Sequence, residues 1–150
     1  MELAPDFKEF IELLNSHSVR YMIVGGFAVA HHGYPRPTGD IDFFVDVSEV
    51  NASRIVEVLN AFGFGGVGVA VEDFTKSDHI VQLGYPPVRI DVATTLSGIS
   101  FDEAWAERSA GTLDGVPVSY ISKRHLLANK AVAGRAKDKA DLERLTERQS

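Results

Sequence analysis

Asp40 and Asp42 stand one residue apart at the head of an apolar run that continues to Val47, and a third aspartate, Asp91, lies inside a second run, Val88 to Thr94. If both runs are strands, residues i and i+2 face the same way about 7 Å apart, so Asp40 and Asp42 project together while Ile41 enters the core. A paired strand lies about 4.8 Å away and would bring Asp91 to the same cluster. Carboxylates on this scale can bridge two divalent ions about 3.5–4 Å apart, the arrangement used in phosphoryl transfer. Oxygen donors combined with substrate phosphates select Mg2+ or Mn2+. Without a cation, each close carboxylate pair repels by roughly 4 kcal/mol at an effective dielectric of about 20, and one member tends to protonate. The competing reading is structural: Asp40 ends a loop, Asp42 pairs with Arg36 or Arg89, and Asp91 is exposed at a sheet end. For an isolated Asp-x-Asp triplet that reading wins, because such triplets are common.

The balance shifts with Gly25-Gly26, which follows the β-prone run Val19 to Val24 and precedes a helical segment, Phe27-Ala-Val-Ala-His-His, closed by Gly33. Free amides and the helix dipole at such a junction form an anion site suited to a triphosphate. Taken singly, the glycine pair reads as a tight turn. A dinucleotide-binding G-x-G-x-x-G pattern fails because Phe27, Ala28 and Val29 follow, and a P-loop fails because no Gly-Lys-Ser/Thr is present.

The elements needed to position these groups are legible in outline. Phe7, Phe10, Ile11 and Leu14 recur at helical spacing, and Asp6 with Glu9 resembles a capping pair, so residues 6–17 read as a helix. Tyr34 to Gly39, with its two prolines, is a loop. Ile55, Val58, Leu59 and Phe62 mark another helix, followed by a glycine-rich turn or loop, Gly63 to Gly68. His79 to Leu83 and Val88 to Thr94 flank Gly84-Tyr-Pro-Pro87, the composition of a turn between antiparallel strands. Phe101 to Arg108 reads as helix and Val116 to Ile121 as strand; Ser122 caps a helix to about Ala133, and a last helix runs from Lys137 to Glu147.

With 150 residues, 45% of them hydrophobic and 24% charged, the chain suits one self-sufficient domain over residues 1–150. It has no cysteine, which excludes disulfides, thiolate zinc sites and thiol nucleophiles and fits a reducing cytoplasm. No apolar run is long enough for a membrane span, and the acidic start is unlike a signal peptide. A net charge of -6 opposes whole-surface nucleic-acid binding, although Lys123, Arg124, Lys130, Arg135, Lys137 and Lys139 form a local basic cluster. The five histidines lack an i, i+4 pair, so surface or core roles are expected rather than zinc ligation.

Val24-Gly-Gly-Phe-Ala-Val-Ala followed by Arg36-Pro-Thr-Gly-Asp-Ile-Asp42 resembles the signature of the DNA polymerase β-like nucleotidyltransferase superfamily. Val88-Arg-Ile-Asp-Val92 resembles its third-carboxylate strand, which gives a signature over 19–94. The segment Lys130 to Leu142, within a C-terminal helical part at 122–147, is similar to bacterial minimal nucleotidyltransferases of the AbiEii and MNT type. The resemblance implies an α/β (α+β) nucleotidyltransferase fold, a mixed sheet flanked by helices with further helices at the C-terminus. It also implies a metal-dependent enzyme that moves an NMP from an NTP to a hydroxyl acceptor, protein or RNA, in a toxin-antitoxin setting. Asp40 and Asp42 would bind both Mg2+ (or Mn2+) ions, and Asp91 would bind the catalytic one and assist acceptor deprotonation. Gly25 and Gly26 would hold the β- and γ-phosphates with Arg36, Thr38 and Lys130, and Asp138 and Asp141 would act in support. Where many active members carry Ser after the first glycine, this chain has Gly26, which removes a hydroxyl donor to phosphate. A binding module of the same fold, acting on a small helical toxin or antitoxin partner by contact alone, is therefore the alternative.

Overall fold

The computed structural model describes residues 3–35, 38–63, 68–85 and 87–147. Along them run α1 (Pro5–Ser16), β1 (Tyr21–Val24), α2 (Gly25–His31), β2 (Asp40–Val45), α3 (Glu49–Phe62) and a 3-10 turn (Val71–Phe74). The second half holds β3 (Ile80–Tyr85), β4 (Val88–Ala93), α4 (Phe101–Ala106), β5 (Ser109–Leu113), β6 (Val116–Tyr120), α5 (Lys123–Ala133) and α6 (Ala136–Glu147). The strands form one sheet in the order β3-β4-β2-β1-β6-β5. It is mixed: β2 pairs parallel with β4 and β1 parallel with β6, and the remaining neighbours are antiparallel. This is the expected α/β architecture. Among the described residues no helix is long and apolar enough to cross a membrane.

Strand alternation divides the sheet into two faces. Ile23 lies opposite Phe43 and Tyr21 opposite Val45, and on that face Phe10 of α1 meets both Phe43 and Phe62, with ring centroids 5.5 and 5.3 Å apart. Phe10, Ile23, Ile41 and Phe43 have no solvent exposure, so α1 and α3 seal this side. The other face carries Asp40, Asp42 and Phe44 from β2; Phe44 packs edge-on against Phe101 of α4, which leaves the end with the aspartates open.

Local chemistry sets the helix boundaries. Pro5 opens α1 at N1 behind Ala4, with no side-chain cap, so Asp6 and Glu9 do not form the expected capping pair. Ser48 caps α3 by accepting from the Asn51 amide, and Gly63 ends it at φ 98°, which extends this helix six residues upstream of its first expected apolar marker, Ile55. Ser122 caps α5 as expected, by accepting from the His125 amide. Strand β5 was not anticipated, although Asp114-Gly115 is a strong hairpin signal and both residues take positive φ, 50° and 77°. Most of the glycine-rich stretch, residues 64–67, lies outside the described residues.

Asn51 ties three elements together. Its amide donates to the carbonyls of Arg20 (3.1 Å) and Asp46 (2.8 Å) and accepts from the Arg20 N–H (2.7 Å), with 2% of the residue exposed. Asn51→Ala leaves the Arg20 N–H and the Asp46 carbonyl without these partners, the Arg20 carbonyl keeping the Asp46 amide at 3.4 Å, and should lower the unfolding free energy by about 2 kcal/mol. Urea unfolding at constant m-value measures it, and a loss under about 1 kcal/mol would show that Asn51 is not a structural tie.

Candidate active site

The parallel register of β2 with β4 sets Asp42 opposite Asp91 and Asp40 opposite Arg89. All four side chains therefore emerge on the open face, where they line a cleft of about 610 Å³. Asp91 is buried, at 4% exposure, against the expectation of an exposed aspartate in the structural reading. Burial pushes the Asp42 carboxyl up to about 6; the charge of Asp91 and a hydrogen bond with it, then the charge of Asp40, push the same way, while Lys137 opposes them.

Arg89 answers this crowding. Its Nε donates to Asp91 Oδ1 (2.9 Å), and its Nη2 donates to Asp91 Oδ2 (3.1 Å) and Asp40 Oδ2 (2.8 Å). Of the two partners that the structural reading offered Asp42, Arg36 or Arg89, the second pairs with the other two aspartates instead. The signal was available, because Arg89-x-Asp91 on a strand must share a face. Among the described residues no three His, Asp or Glu side chains converge closely enough, as they stand, to hold a metal ion. The donor chemistry of Asp40, Asp42 and Asp91 nevertheless suits a hard divalent cation.

Gly25 and Gly26 are the first two residues of α2, directly after β1. Gly25 takes φ 66°, and a Cβ there would run into the Asp42 carboxylate, so both backbone conformation and space demand glycine. A Cβ at Gly26 would lie 2.8 Å from Thr38 Oγ1 and 2.9 Å from Thr38 Cβ. A serine at position 26 would therefore have to displace Thr38. The hydroxyl over this part of the cleft belongs to Thr38, which donates to the Asp40 carbonyl at 3.2 Å. Arg36 lies outside the described residues.

Lys130 also lines the cleft but is committed elsewhere. Its Nζ lies 3.1 Å from both Asp138 Oδ1 and Asp141 Oδ2, and all three side chains are almost fully buried. Arg135 Nε donates to Asp138 Oδ2 at 2.6 Å. Burial would raise the Asp138 pKa, but the hydrogen bonds and charges of Arg135 and Lys130 outweigh it and hold the carboxyl low. The expected basic face is consequently broken up: Lys130 is internal, Arg135 is paired, and Arg124 is paired with Glu107. Arg135 and Lys137, members of that expected basic cluster, both line the cleft. Its far wall is the β4–α4 connection, clasped to α5 by Asn129, which donates to the Ser97 carbonyl at 3.1 Å. His31 and His32 take structural roles, His31 stacked on Tyr120 at 3.9 Å and His32 bonded to the Ile121 carbonyl at 2.7 Å.

A family model described as "Nucleotidyl transferase of unknown function (DUF2204)" matches residues 4–150. No curated protein matches the chain significantly by sequence. Among solved structures, the chain is similar to TM1012 of Thermotoga maritima, assigned to the nucleotidyltransferases: 15% identity over 95% of this chain and 91% of that one, TM-score 0.59. It is similar to the lincosamide antibiotic adenylyltransferase LnuA, solved with lincomycin, at 14% identity over 96% of both chains and TM-score 0.58. An antigenic nucleotidyltransferase-like protein of Paracoccidioides brasiliensis matches at 20% identity over 94% of this chain and 73% of its own, TM-score 0.54. At these identities the structural likeness is one of fold. None of the three is an AbiEii or MNT protein by name.

Two measurements follow from the charges. The Asp42 pKa lies above the ordinary value of 3.8, so the folded chain binds this proton more tightly than the unfolded chain; the penalty is absent below about pH 4, grows as pH rises, and is complete above about pH 6. In EDTA, Asp42→Asn should stabilise the chain at pH 8 by on the order of 2 kcal/mol and converge on wild type near pH 4. Denaturant unfolding across that range checks it, and a pH-independent difference would refute the cause. Lys130→Met strands two buried carboxylates and should cost about 3 kcal/mol at pH 7. The test is the same unfolding experiment, in which a cost below about 1 kcal/mol would mean that the ion cluster is not buried in solution.

Proposed function

The chain belongs to the DUF2204 family of nucleotidyl transferases, and on that premise we propose that Asp40, Asp42 and Asp91 hold Mg2+ or Mn2+ for transfer of an NMP from an NTP to a hydroxyl acceptor. The observation that carries this reading is the register setting Asp42 opposite Asp91, with Gly25 packed so closely that a side chain would strike the Asp42 carboxylate. Three carboxylates crowded at the floor of an open cleft are costly as a purely structural feature, and cation binding relieves that cost.

The phosphates lie along Gly25 and Gly26, where helix amides favour an anion. Thr38 supplies the hydroxyl that Gly26 lacks, and its position above Gly26 answers the absence of serine there. Arg135 and Lys137, which line the cleft, add positive charge on the phosphate side, Lys130 stands at its wall held by Asp138 and Asp141, and Arg36 is proposed to act with them. Asp91 takes the proton of the acceptor hydroxyl, whose oxygen attacks the α-phosphorus; the bond to the bridging oxygen breaks, and pyrophosphate leaves. Bound cations would neutralise the phosphates and the developing charge on pyrophosphate.

The acceptor hydroxyl is carried by a protein or an RNA, with a toxin-antitoxin pair as the setting. A small hydroxyl compound is a further class, in view of the fold shared with LnuA. A contact-only antitoxin module is the second reading, favoured by Gly26 alone.

Incubation with α-labelled NTPs, Mg2+ or Mn2+, and RNA or protein fractions should give labelled product and pyrophosphate. Asp42→Asn and Asp91→Asn should each lower turnover at least about a hundredfold. Full turnover in Asp42→Asn with unchanged nucleotide binding would remove Asp42 from the chemistry. If the double variant Asp40→Asn, Asp42→Asn still neutralised a co-expressed partner, the contact-only reading would hold.

A further inference from the structure

Arg89 is placed by the strands themselves. It lies two residues before Asp91 on β4 and opposite Asp40 on β2, so alternation sends its side chain onto the carboxylate face. There its guanidinium engages both oxygens of Asp91 and one of Asp40, at 2.8–3.1 Å. These are the oxygens that a divalent cation between the two strands would need. The arginine side chain remains 27% exposed while that of Asp91 keeps 6%, so the guanidinium stands nearer the solvent than the Asp91 carboxylate it binds.

A guanidinium cannot lose its proton to make way. Side by side with a divalent ion it would experience strong repulsion at the short distances of this site. Entry of the cation therefore requires Arg89 to move off, and the displaced positive charge needs a new partner. A triphosphate arriving in the same cleft provides one.

We infer that Arg89 is the built-in counter-cation of the metal-free site: it positions Asp40 and Asp91 before loading, competes with the divalent ion for them, and thereby makes metal uptake depend on the nucleotide. This rests on the metal-dependent reading above. Arg89 is a positioning residue, and its release is linked to the phosphates rather than to the acceptor.

The test is Mn2+ binding to the full-length chain, followed by electron paramagnetic resonance with and without a non-hydrolysable ATP analogue. Wild type, Arg89→Gln, Arg89→Lys and Asp42→Asn are compared, with folding checked by circular dichroism. Without nucleotide, Arg89→Gln should bind Mn2+ about tenfold or more tightly than wild type, because a competing charge is gone. Arg89→Lys, which keeps the charge but loses the planar fork, should fall between the two. With the analogue present, the difference between Arg89→Gln and wild type should narrow to about threefold or less. A residue that merely supported the fold would weaken metal binding when changed, not tighten it. Equal or weaker Mn2+ binding by Arg89→Gln, while Asp42→Asn weakens it, overturns the role of Arg89 and leaves the metal-dependent reading standing. Indistinguishable binding by wild type and Asp42→Asn overturns both. If Arg89→Gln does not fold, Arg89→Lys decides the matter, and binding no tighter than wild type in that variant overturns the inference.

Discussion

Like charges are forced together where β2 and β4 run parallel, and much of the open face of the sheet is organised around that fact. The register sets Asp42 against Asp91 and Asp40 against Arg89, and Asp91 is almost completely buried. Carboxylates so placed repel and lose hydration, and the molecule responds in two ways: Asp42 holds its proton more tightly, and Arg89 bonds to the other two aspartates. Gly25 is part of the same arrangement, because the Asp42 carboxylate occupies the space that any side chain at position 25 would need. A cation or a proton is the natural complement of such a site, which links its electrostatics to the nucleotidyl transfer chemistry of the family.

The second charged cluster solves a different problem. Lys130, Asp138 and Asp141 lie almost out of solvent between α5 and α6, with Arg135 closing over Asp138. Positive and negative partners are matched there, and the hydrogen bonds compensate the desolvation of each group. The cluster fixes the hairpin of α5 and α6 against the cleft, so that Arg135 and Lys137 are presented along its wall. One site is left electrostatically unbalanced on the cleft floor, while its neighbour is balanced and serves as scaffold.

Rigidity comes from the opposite face. Phe10 reaches Phe43 and Phe62, Tyr21 stacks edge-on with Phe43, and the apolar stripe of α1 is buried against the sheet. Because adjacent residues of β2 serve opposite faces, burial of Ile41 and Phe43 is what aims Asp40 and Asp42 outward. A register slip of one residue would bury the aspartates and expose the core.

Local pattern alone determined a good deal. Alternation placed Asp40 and Asp42 on one face with Ile41 beneath, Gly25-Gly26 marked a strand-to-helix junction, and Ser122 marked the start of α5. Each depends on neighbours within a few residues, where backbone geometry and periodicity dictate the outcome. Tertiary structure alone decided that β2 pairs with β4, that Arg89 reaches across to Asp40 as well as Asp91, and that Lys130 is buried against two aspartates. These depend on contacts between distant parts of the chain, and several partners were equally available to each group in the sequence. The aspartates that could be picked out by spacing became a defined constellation only when hydrogen bonds between strands set their register, because a register is a property of two segments and is written in neither one.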